Sequence, residues 1–215
     1  MTILITAGPT REAIDPVRFI SNKSSGKMGY AIAQSAAEQG HRVILVSGPT
    51  DLDVPDRVDF IPVESSVEMF AAVEHQIAKV DIAIFTAAVA DYRPASVPDQ
   101  KIKKSGETMT LELVRNPDIL GSARNQFSYQ GVLVGFAAET ENLEKNAREK
   151  LERKGCDLIV ANDVSRKDIG FDANDNEVLL VFPDHTDHPH KDSKQHLAHL
   201  ILEEAITLTS VSNPN

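Results

Sequence analysis

Short apolar runs alternate with helical patterns along this chain. The apolar runs lie at residues 3–7, 42–47, 81–87, 132–136 and 158–160. Helical spacing of apolar residues, or helix-length charged segments, fills the intervals between them. Strands that alternate with helices predict an α/β fold with a mostly parallel sheet and helices on both faces.

Start and stop signals define the remaining predicted elements. Helices are expected over about 27–39, from the capping box of Ser65 and Glu68, after 116–118, over 142–154 and over about 193–209. Weaker strands are expected at 59–63, where Pro62 disfavours pairing, at 110–114 and at 177–182, the last as a hairpin or a small protruding β arm. Residues 89–104 are polar and predict a long loop.

Length, charge and cysteine content limit the class of protein. With 215 residues, the chain suits one α/β domain over 1–215, with a frayed tail after Ser210. A formal net charge of -10 argues against nucleic-acid and anionic-membrane binding, since both require basic surface. Cys156 is the single cysteine, which excludes an intramolecular disulfide and predicts a packing role in a reducing cytoplasm. The sequence has no membrane-length apolar run and no signal peptide.

Small and polar residues follow the predicted strands. In an open parallel sheet, ligands bind beyond the carboxyl ends of the strands. Segments that are far apart in sequence are therefore expected to converge on one crevice: Gly8–Thr10, Ser47–Pro49, Ala87–Asp91, Phe136–Thr140 and Ala161–Asp163.

A phosphate-type loop opens the first predicted helix. The first strand breaks at Gly8, and after a tether the turn Ser24–Lys27 leads into the helix. Free N–H groups and the helix dipole at such a turn favour an anion. The loop is not a Walker A motif, because Ser21 and Met28 stand where that motif needs Gly and Ser or Thr, and a dinucleotide motif would need a third Gly. Each of these residues taken alone is also typical of ordinary turns.

Several polar residues could carry chemistry. Asn22 can donate to a carbonyl and accept from an amine, or it can form an Asx turn. Asp91 at a strand end can hold a metal or a ligand hydroxyl, or it can cap a turn. Lys101 lies on the long loop, where a lysine can close over a polyphosphate or simply be solvated. Lys150 and Lys154 are one helical turn apart and can clamp phosphate oxygens or join surface ion pairs.

Three nearby histidines invite a metal interpretation that their spacing does not favour. His185, His188 and His190 match no standard zinc pattern. The residues alone therefore leave nucleotide chemistry and a nicotinamide-dependent reductase nearly tied.

Longer strings resemble one enzyme family, phosphopantothenate–cysteine ligase of coenzyme A biosynthesis. The strings are 5–12, 14–22, 24–29, 87–93, 101–104, 116–119, 135–140 and 161–164, and the likeness spans about residues 3–182. It implies a Rossmann-like, doubly wound fold and a homodimer, for which 177–182 is the expected contact. It also implies a nucleoside triphosphate and Mg²⁺ or Mn²⁺, and the segments around Lys101 and Lys150 resemble the bacterial form, which uses CTP.

The resemblance implies a two-step reaction. The carboxylate of 4′-phosphopantothenate attacks the α-phosphate of CTP and expels pyrophosphate. The amine of L-cysteine then attacks the acyl-cytidylate and releases CMP. Lysines and the metal ion would stabilise the negative charge that develops on phosphorus, and a closed flap would exclude water.

Individual roles also follow from the resemblance. Asn22 matches the residue that contacts the activated acyl group, and Lys101 matches a catalytic lysine on a flexible flap that also binds the nucleotide. The other matched nucleotide-binding positions are Phe85, Thr86, Ala87, Asp91, Asn116, Pro117, Asp118, Ile119, Phe136, Lys150 and Lys154. The expected substrate or phosphate loop comprises Gly8, Ser24, Ser25, Gly26 and Lys27, and no metal ligand is assigned.

One departure from the family and two alternatives remain. Many bacterial ligases follow a flavin-dependent decarboxylase domain on the same chain, whereas here Met1 lies almost at the first strand. We therefore expect a stand-alone ligase or a cut-out domain without flavin, with a separate decarboxylase as partner. The alternatives are a nicotinamide-dependent reductase, which would usually need an acidic residue where Ser47–Pro49 stands, and a non-catalytic nucleotide-binding module.

Overall fold

A computed structural model describes residues 1–104, 106–163 and 175–212. In chain order, the strands are β1 (Thr2–Ala7), β2 (Arg11–Ala13), β3 (Phe19–Ser21), β4 (Arg42–Ser47), β5 (Val58–Pro62), β6 (Ile82–Phe85), β7 (Tyr92–Pro94), β8 (Leu113–Arg115), β9 (Val132–Glu139), β10 (Leu158–Asp163), β11 (Asp175–Asn176), β12 (Val178–Val181), β13 (Thr186–Asp187) and β14 (Asp192–Ser193). The helices are α1 (Lys27–Glu38), α2 (Ser66–Ile77), α3 (Ile119–Asn125), α4 (Leu143–Lys154) and α5 (Lys194–Ser212).

Eight strands form the central sheet, in the order β13-β12-β10-β9-β6-β1-β4-β5. The six strands from β10 to β5 are parallel, and β12 and β13 complete the other edge with antiparallel pairing. From β1 the chain builds outward to β4 and β5, then crosses to β6 on the other side. The strand order therefore reverses between β1 and β6, which is where an open α/β sheet binds its ligand.

Helices cover both faces of the sheet, as the alternating pattern predicts. Ile3 and Ile5 pack in the core layer formed with α1 and α5, whereas Leu4 packs in the layer formed with α2, α3 and α4. All three side chains are fully buried. Because both faces are covered, the parallel strands are continuous apolar runs instead of alternating ones.

Helix α1 lies unusually close to the sheet at Gly29. A Cβ atom there would stand 2.4 Å from the Thr86 hydroxyl oxygen and 2.6 Å from the Ala7 Cβ. Both distances are below any van der Waals contact, so only glycine fits this helix–sheet crossing.

The local helix signals are confirmed. The Ser65 hydroxyl accepts the N–H of Glu68 at the start of α2, and Asp118 caps α3 through the N–H of Gly121. Gly155 ends α4 in the left-handed conformation, with φ of 64°. Pro62 does occur in a strand, but β5 is at the sheet edge, where a missing N–H costs no pairing.

Two hairpins depart from the predicted loops. Strands β2 and β3 pair within the segment that was expected to be a tether, and β7 pairs with β8 across the segment expected to be a polar loop. The strand expected at 110–114 is limited to Leu113–Arg115. These strands are three residues long and largely exposed, so they lack the burial that produces a readable apolar pattern.

Of the two forms predicted for the segment 177–182, the structure has the hairpin and not the protruding arm. The segment expected at 177–182 forms a hairpin with β13, but its strand β12 pairs with β10 inside the main sheet, and Val178 and Leu180 are 4% and 1% exposed. Its side chains pack in the core layers on both faces of the sheet, so the strand is part of the core instead of an exposed arm. The C-terminal helix extends to Ser212, beyond the predicted fraying point at Ser210, and residues 164 and 213–215 lie outside the described part. None of the helices that the structure describes is both long and apolar enough to cross a membrane.

Candidate nucleotide site

A cavity of about 630 Å³ opens beyond the carboxyl ends of β6 and β9, next to α3 and α4. This volume falls in the range of small-molecule sites. Ten of the predicted nucleotide-binding residues line it: Phe85, Ala87, Asp91, Asn116, Pro117, Asp118, Ile119, Phe136, Lys150 and Lys154. These ten residues come from four separate stretches of sequence, 85–91, 116–119, 136 and 150–154, which meet in one place.

The expected convergence of strand ends holds only in part. Four residues of the segment Ala87–Asp91 (all but Ala88) and Phe136 line the cavity, whereas Gly8–Thr10, Ser47–Pro49 and Ala161–Asp163 do not. The strands before the last two segments lie farther out, β4 beyond β1 and β10 beyond β9. The crevice is therefore limited to the strands near the reversal of strand order.

Two lysines of α4 reach the cavity in different electrostatic states. Lys150 donates to the Phe136 carbonyl oxygen at 2.7 Å, and burial lowers the pKa of its ammonium. Lys154 forms an ion pair with Asp118. Burial alone would raise the pKa of Asp118, but the Lys154 ammonium and the Gly121 N–H outweigh it and lower the pKa. The aspartate therefore stays ionised and orients Lys154 while it caps α3.

Two arginines of the cavity were not predicted. Arg115 and Arg153 line it together with the two lysines. The four cations exceed the two cavity carboxylates, Asp91 and Asp118, so the cavity is locally basic in an acidic chain. Arg153 could have been predicted, because it lies one helical turn from Lys150 on the same helix.

Asn116 forms part of the cavity wall through bonds within the chain. Its amide group donates to the Ala90 carbonyl at 2.8 Å and accepts from Arg93 at 3.0 Å, and its N–H donates to the Asp91 carbonyl. These bonds tie the strand end after β6 to the end of β8. They fix the backbone that carries Asp91.

Two predicted nucleotide-binding residues lie outside the cavity lining. The Thr86 hydroxyl donates to the Thr6 carbonyl at 2.7 Å and contacts α1 at Gly29, on the other face of the sheet. Lys101 is exposed on the segment between β7 and β8. The alternation of strand side chains accounts for Thr86, because its neighbours Phe85 and Ala87 point to the opposite face.

The predicted phosphate-type loop, Gly8 and Ser24–Lys27, does not line the cavity, and neither does Asn22, but Asn22 contacts the backbone beside the cavity wall. The Asn22 amide donates to the Ala88 carbonyl at 3.0 Å, and Ala88 stands between two residues that line the cavity, Ala87 and Val89. Ala88 also pairs with Pro9 after β1, at the reversal of strand order. Asn22 is thus held where the ends of β1 and β6 meet.

Glycines shape the loop itself. Gly26 precedes α1 with φ of 78°, in the left-handed region, and its N–H donates to the Ser24 hydroxyl at 3.3 Å. A Cβ on Gly26 would stand 2.7 Å from the Thr50 methyl group. Gly8 packs against the same threonine, so the loop and the strand end of β1 are close neighbours.

Cys156 was considered as a reactive thiol and His185 as a metal ligand, and both side chains make other contacts within the fold. Burial raises the pKa of Cys156 to about 12, which leaves its thiol protonated and suits packing. His185 stacks on Phe182 at 4.4 Å and contacts Asp184. Among the described residues, no three His, Cys, Asp or Glu side chains are placed to hold a metal ion.

Comparisons with known proteins agree on one group of relatives. A family model described as the DNA/pantothenate metabolism flavoprotein C-terminal domain matches residues 1–208. The coenzyme A biosynthesis bifunctional protein CoaBC of Vibrio vulnificus (strain YJ016) is 50% identical over 209 residues, 96% of this chain and 52% of that protein. The protein of the same name from Bacillus subtilis (strain 168) is 54% identical over 183 residues, 85% of this chain and 45% of that protein.

A solved structure extends the likeness to the fold. The crystal structure of the C-terminal domain of coenzyme A biosynthesis bifunctional protein CoaBC matches with a TM-score of 0.81 and 44% identity, over 96% of this chain and 95% of that one. The chain spans about half the length of the curated relatives that it matches.

Proposed function

The chain belongs to the DNA/pantothenate metabolism flavoprotein C-terminal domain family, and we propose that it is a CTP-dependent phosphopantothenate–cysteine ligase. The observation that carries the proposal is the cavity at the reversal of strand order, which gathers ten residues expected to bind the nucleotide. Relatives about 50% identical to this chain are named for coenzyme A biosynthesis, which supports the same reaction.

In the first proposed step, one oxygen of the 4′-phosphopantothenate carboxylate bonds to the α-phosphorus of CTP. The bond between the α-phosphorus and the oxygen that bridges the α- and β-phosphates of CTP breaks, and that oxygen leaves with pyrophosphate. The basic cavity would hold the triphosphate, with Lys150 and the Lys154–Asp118 pair on one wall. Lys101 would approach from the segment between β7 and β8 and stabilise the charge on the five-coordinate phosphorus.

In the second step, the amine of L-cysteine attacks the acyl carbon. CMP leaves with the former carboxylate oxygen that joined the acyl carbon to the phosphorus. Asn22 is proposed to hold the activated acyl group. Its contact with Ala88 supports this role, because it keeps the amide at the border between the phosphate-type loop and the cavity. Gly8, Ser24, Ser25, Gly26 and Lys27 are proposed to hold anionic substrate beside it.

Mg²⁺ or Mn²⁺ is the proposed cofactor, and the cavity has one carboxylate available to bind it together with the phosphates of the substrate. Mg²⁺ in nucleotide enzymes is commonly held by substrate phosphates and one or two carboxylates. Asp118 is paired with Lys154, so Asp91 is the described cavity carboxylate left to contribute. The ion would supply positive charge to the phosphates, and Asp91 would orient it or the ribose hydroxyls.

The proposed unit is one ligase domain over 1–215 that acts in the cytoplasm. The relatives are named bifunctional and the chain spans about half their length, so the proposal concerns the ligase step. The decarboxylase named as a possible partner would act after the ligase, on the carboxylate that cysteine brings into the product.

A homodimer is also proposed, at a different surface from the arm first expected. Exposed apolar side chains cluster on the two hairpins and the segment between β7 and β8: Val17, Phe19, Tyr92, Val97, Met109, Leu113 and Val114. Large exposed apolar patches on a folded chain are typical of interaction sites. A second copy would cover these side chains next to the site.

Pyrophosphate release tests the proposal directly. The chain is incubated with Mg²⁺ and 4′-phosphopantothenate, with CTP or ATP, with and without L-cysteine. We expect cysteine-independent release of up to one pyrophosphate per site with CTP and sustained turnover when cysteine is added. Nucleotide binding without any pyrophosphate would identify a binding module, and equal turnover with ATP would contradict the CTP preference.

A further inference from the structure

The flap segment, which we define as residues 95–112, is exposed almost throughout. It connects β7 to β8, its described residues have no regular secondary structure, and its base is closed by a bond from the Ala95 N–H to the Glu112 carbonyl at 2.9 Å. Of its described residues, only Ile102 and Leu111 are half-buried. A segment with so little burial needs a specific contact if it is to hold one position.

Ile102 has such a contact on both sides of its backbone. Its N–H donates to the Asp15 carboxylate at 3.0 Å, and its carbonyl accepts from the Arg18 guanidinium at 3.0 Å. Asp15 and Arg18 lie in the turn between β2 and β3, more than 80 residues away in sequence. This arrangement, the Asp15–Arg18 clamp, grips the middle of the flap segment.

The clamp is rigid because Asp15 is itself fully engaged. Asp15 is 2% exposed, and one of its oxygens accepts the N–H groups of Val17 and Arg18 at 2.9 Å each. The other oxygen accepts from Arg18 at 3.0 Å and 2.5 Å as well as from Ile102. The Arg18 guanidinium holds the pKa of Asp15 well below its usual range, against the effect of burial, so the clamp remains charged at neutral pH.

The clamp connects two residues that have proposed roles in the reaction. Lys101 directly precedes Ile102, so their Cα atoms are about 3.8 Å apart. The same β2–β3 hairpin ends at Ser21, and Asn22 follows it. Fixing Ile102 against this hairpin therefore fixes the start of the Lys101 side chain relative to Asn22.

We propose that Asp15 is a positioning residue for the reaction, which through the Asp15–Arg18 clamp sets the distance between Lys101 and Asn22. The inference rests on the proposed ligase function for the role of Lys101. Asp15 touches no substrate in this account, and its effect on the chemical step passes through Lys101 alone.

A double-mutant cycle with Lys101→Gln tests this path. Asp15→Asn keeps the shape of the side chain but removes the charge that orders Arg18. We expect it to slow single-turnover pyrophosphate release about tenfold to a hundredfold, because small displacements of catalytic groups have effects of that size. CTP affinity should stay unchanged. In the Lys101→Gln background the same substitution should change the rate less than about twofold. An equal loss in both backgrounds would overturn the proposal.

Trypsin cleavage of the full chain provides a readout that needs no activity. The flap segment contains Lys101, Lys103 and Lys104, and Asp15→Asn should speed cleavage there, whereas the exposed Asp51→Asn should not. Melting temperatures identify general unfolding. Unchanged flap cleavage in a folded Asp15→Asn variant would contradict the clamp. If the unaltered chain released no pyrophosphate, the ligase proposal would fail, and the cleavage comparison would still decide whether the clamp holds the segment.

Discussion

Lys150 shows how a single cavity residue combines a stability cost with a binding role. Burial disfavours its charged form, and the Phe136 carbonyl compensates with one hydrogen bond. Such a residue is retained at a cost when its charge serves a ligand, as is common where activity and stability compete. The neighbouring Lys154 differs, because Asp118 already neutralises it.

Substitution of Lys150 by methionine should separate these two effects. We expect an unchanged or higher melting temperature at pH 7.5 together with about tenfold or greater loss of CTP affinity, since a hydrogen bond to a charged group contributes about 1.5–3 kcal/mol. The pKa of Lys150 is lowered in the folded chain, so between the lowered pKa and the ordinary value of 10.5 the unfolded chain binds more protons than the folded chain. Below this range both states are protonated, and the folded chain bears the full cost of burying the charge. Any thermal advantage of the variant should therefore be full at neutral pH and vanish above pH 10.5. Lower stability with unchanged CTP affinity would refute this view.

Asn22→Asp tests the residue at the border of the loop and the cavity. A carboxylate cannot donate to the Ala88 carbonyl, and it places negative charge beside the proposed phosphates. We expect the rate of product formation to fall by about a hundredfold or more, a typical loss for one preorganised donor. Product and pyrophosphate are measured together, with Asn125→Asp, at the exposed end of α3, as the control. Wild-type turnover in Asn22→Asp would exclude the role.

At the scale of elements, burial determines which parts of the fold were predictable. Strand β4 and helix α4 follow their predicted bounds closely, because the strand contains the continuous apolar run Val43–Val46 and the helix ends at a glycine cap. Strands β2 and β7 were missed because their pairing depends on distant partners and leaves little buried surface. The cavity residues could be anticipated from motifs, but the Asp15–Arg18 clamp could not, since no local pattern links residue 15 to residue 102.

The contact between α1 and the sheet provides a test at this scale. Gly29→Ala places a Cβ within 2.4 Å of the Thr86 hydroxyl oxygen, so helix and sheet must move apart. We expect a loss of about 1–3 kcal/mol in the free energy of unfolding, as for other overpacked sites. Denaturant unfolding measures it, with Gln34→Ala on the exposed side of α1 as the control. A Gly29→Ala variant as stable as the control would show that the crossing has room.

For the whole molecule, the exposed apolar residues of the hairpins are the main unexplained surface. They lie on the hairpin that ends directly before Asn22, on the second hairpin and on the flap segment, so a second copy bound there would help to close the site. In contrast, the strand first expected to form the dimer contact is buried in the sheet.

Phe19→Asp should therefore weaken self-association. The Phe19 side chain is 48% exposed, and a charge at that point would have to be desolvated in the contact. We expect a shift from dimer to monomer in sedimentation experiments at micromolar concentration. Val67→Asp, on the exposed side of α2, should leave the dimer intact. A dimer that survives Phe19→Asp unchanged would place the contact elsewhere.

The central claim is that a carboxylate oxygen attacks the α-phosphate of CTP. Phosphopantothenate labelled with ¹⁸O in its carboxylate is converted with CTP, Mg²⁺ and L-cysteine, and the products are examined by mass spectrometry. The account predicts one ¹⁸O atom in CMP and none in pyrophosphate, because the carboxylate oxygen that bonds to the α-phosphorus leaves with the nucleotide. Label in inorganic phosphate or pyrophosphate, or unlabelled CMP during turnover, would contradict it.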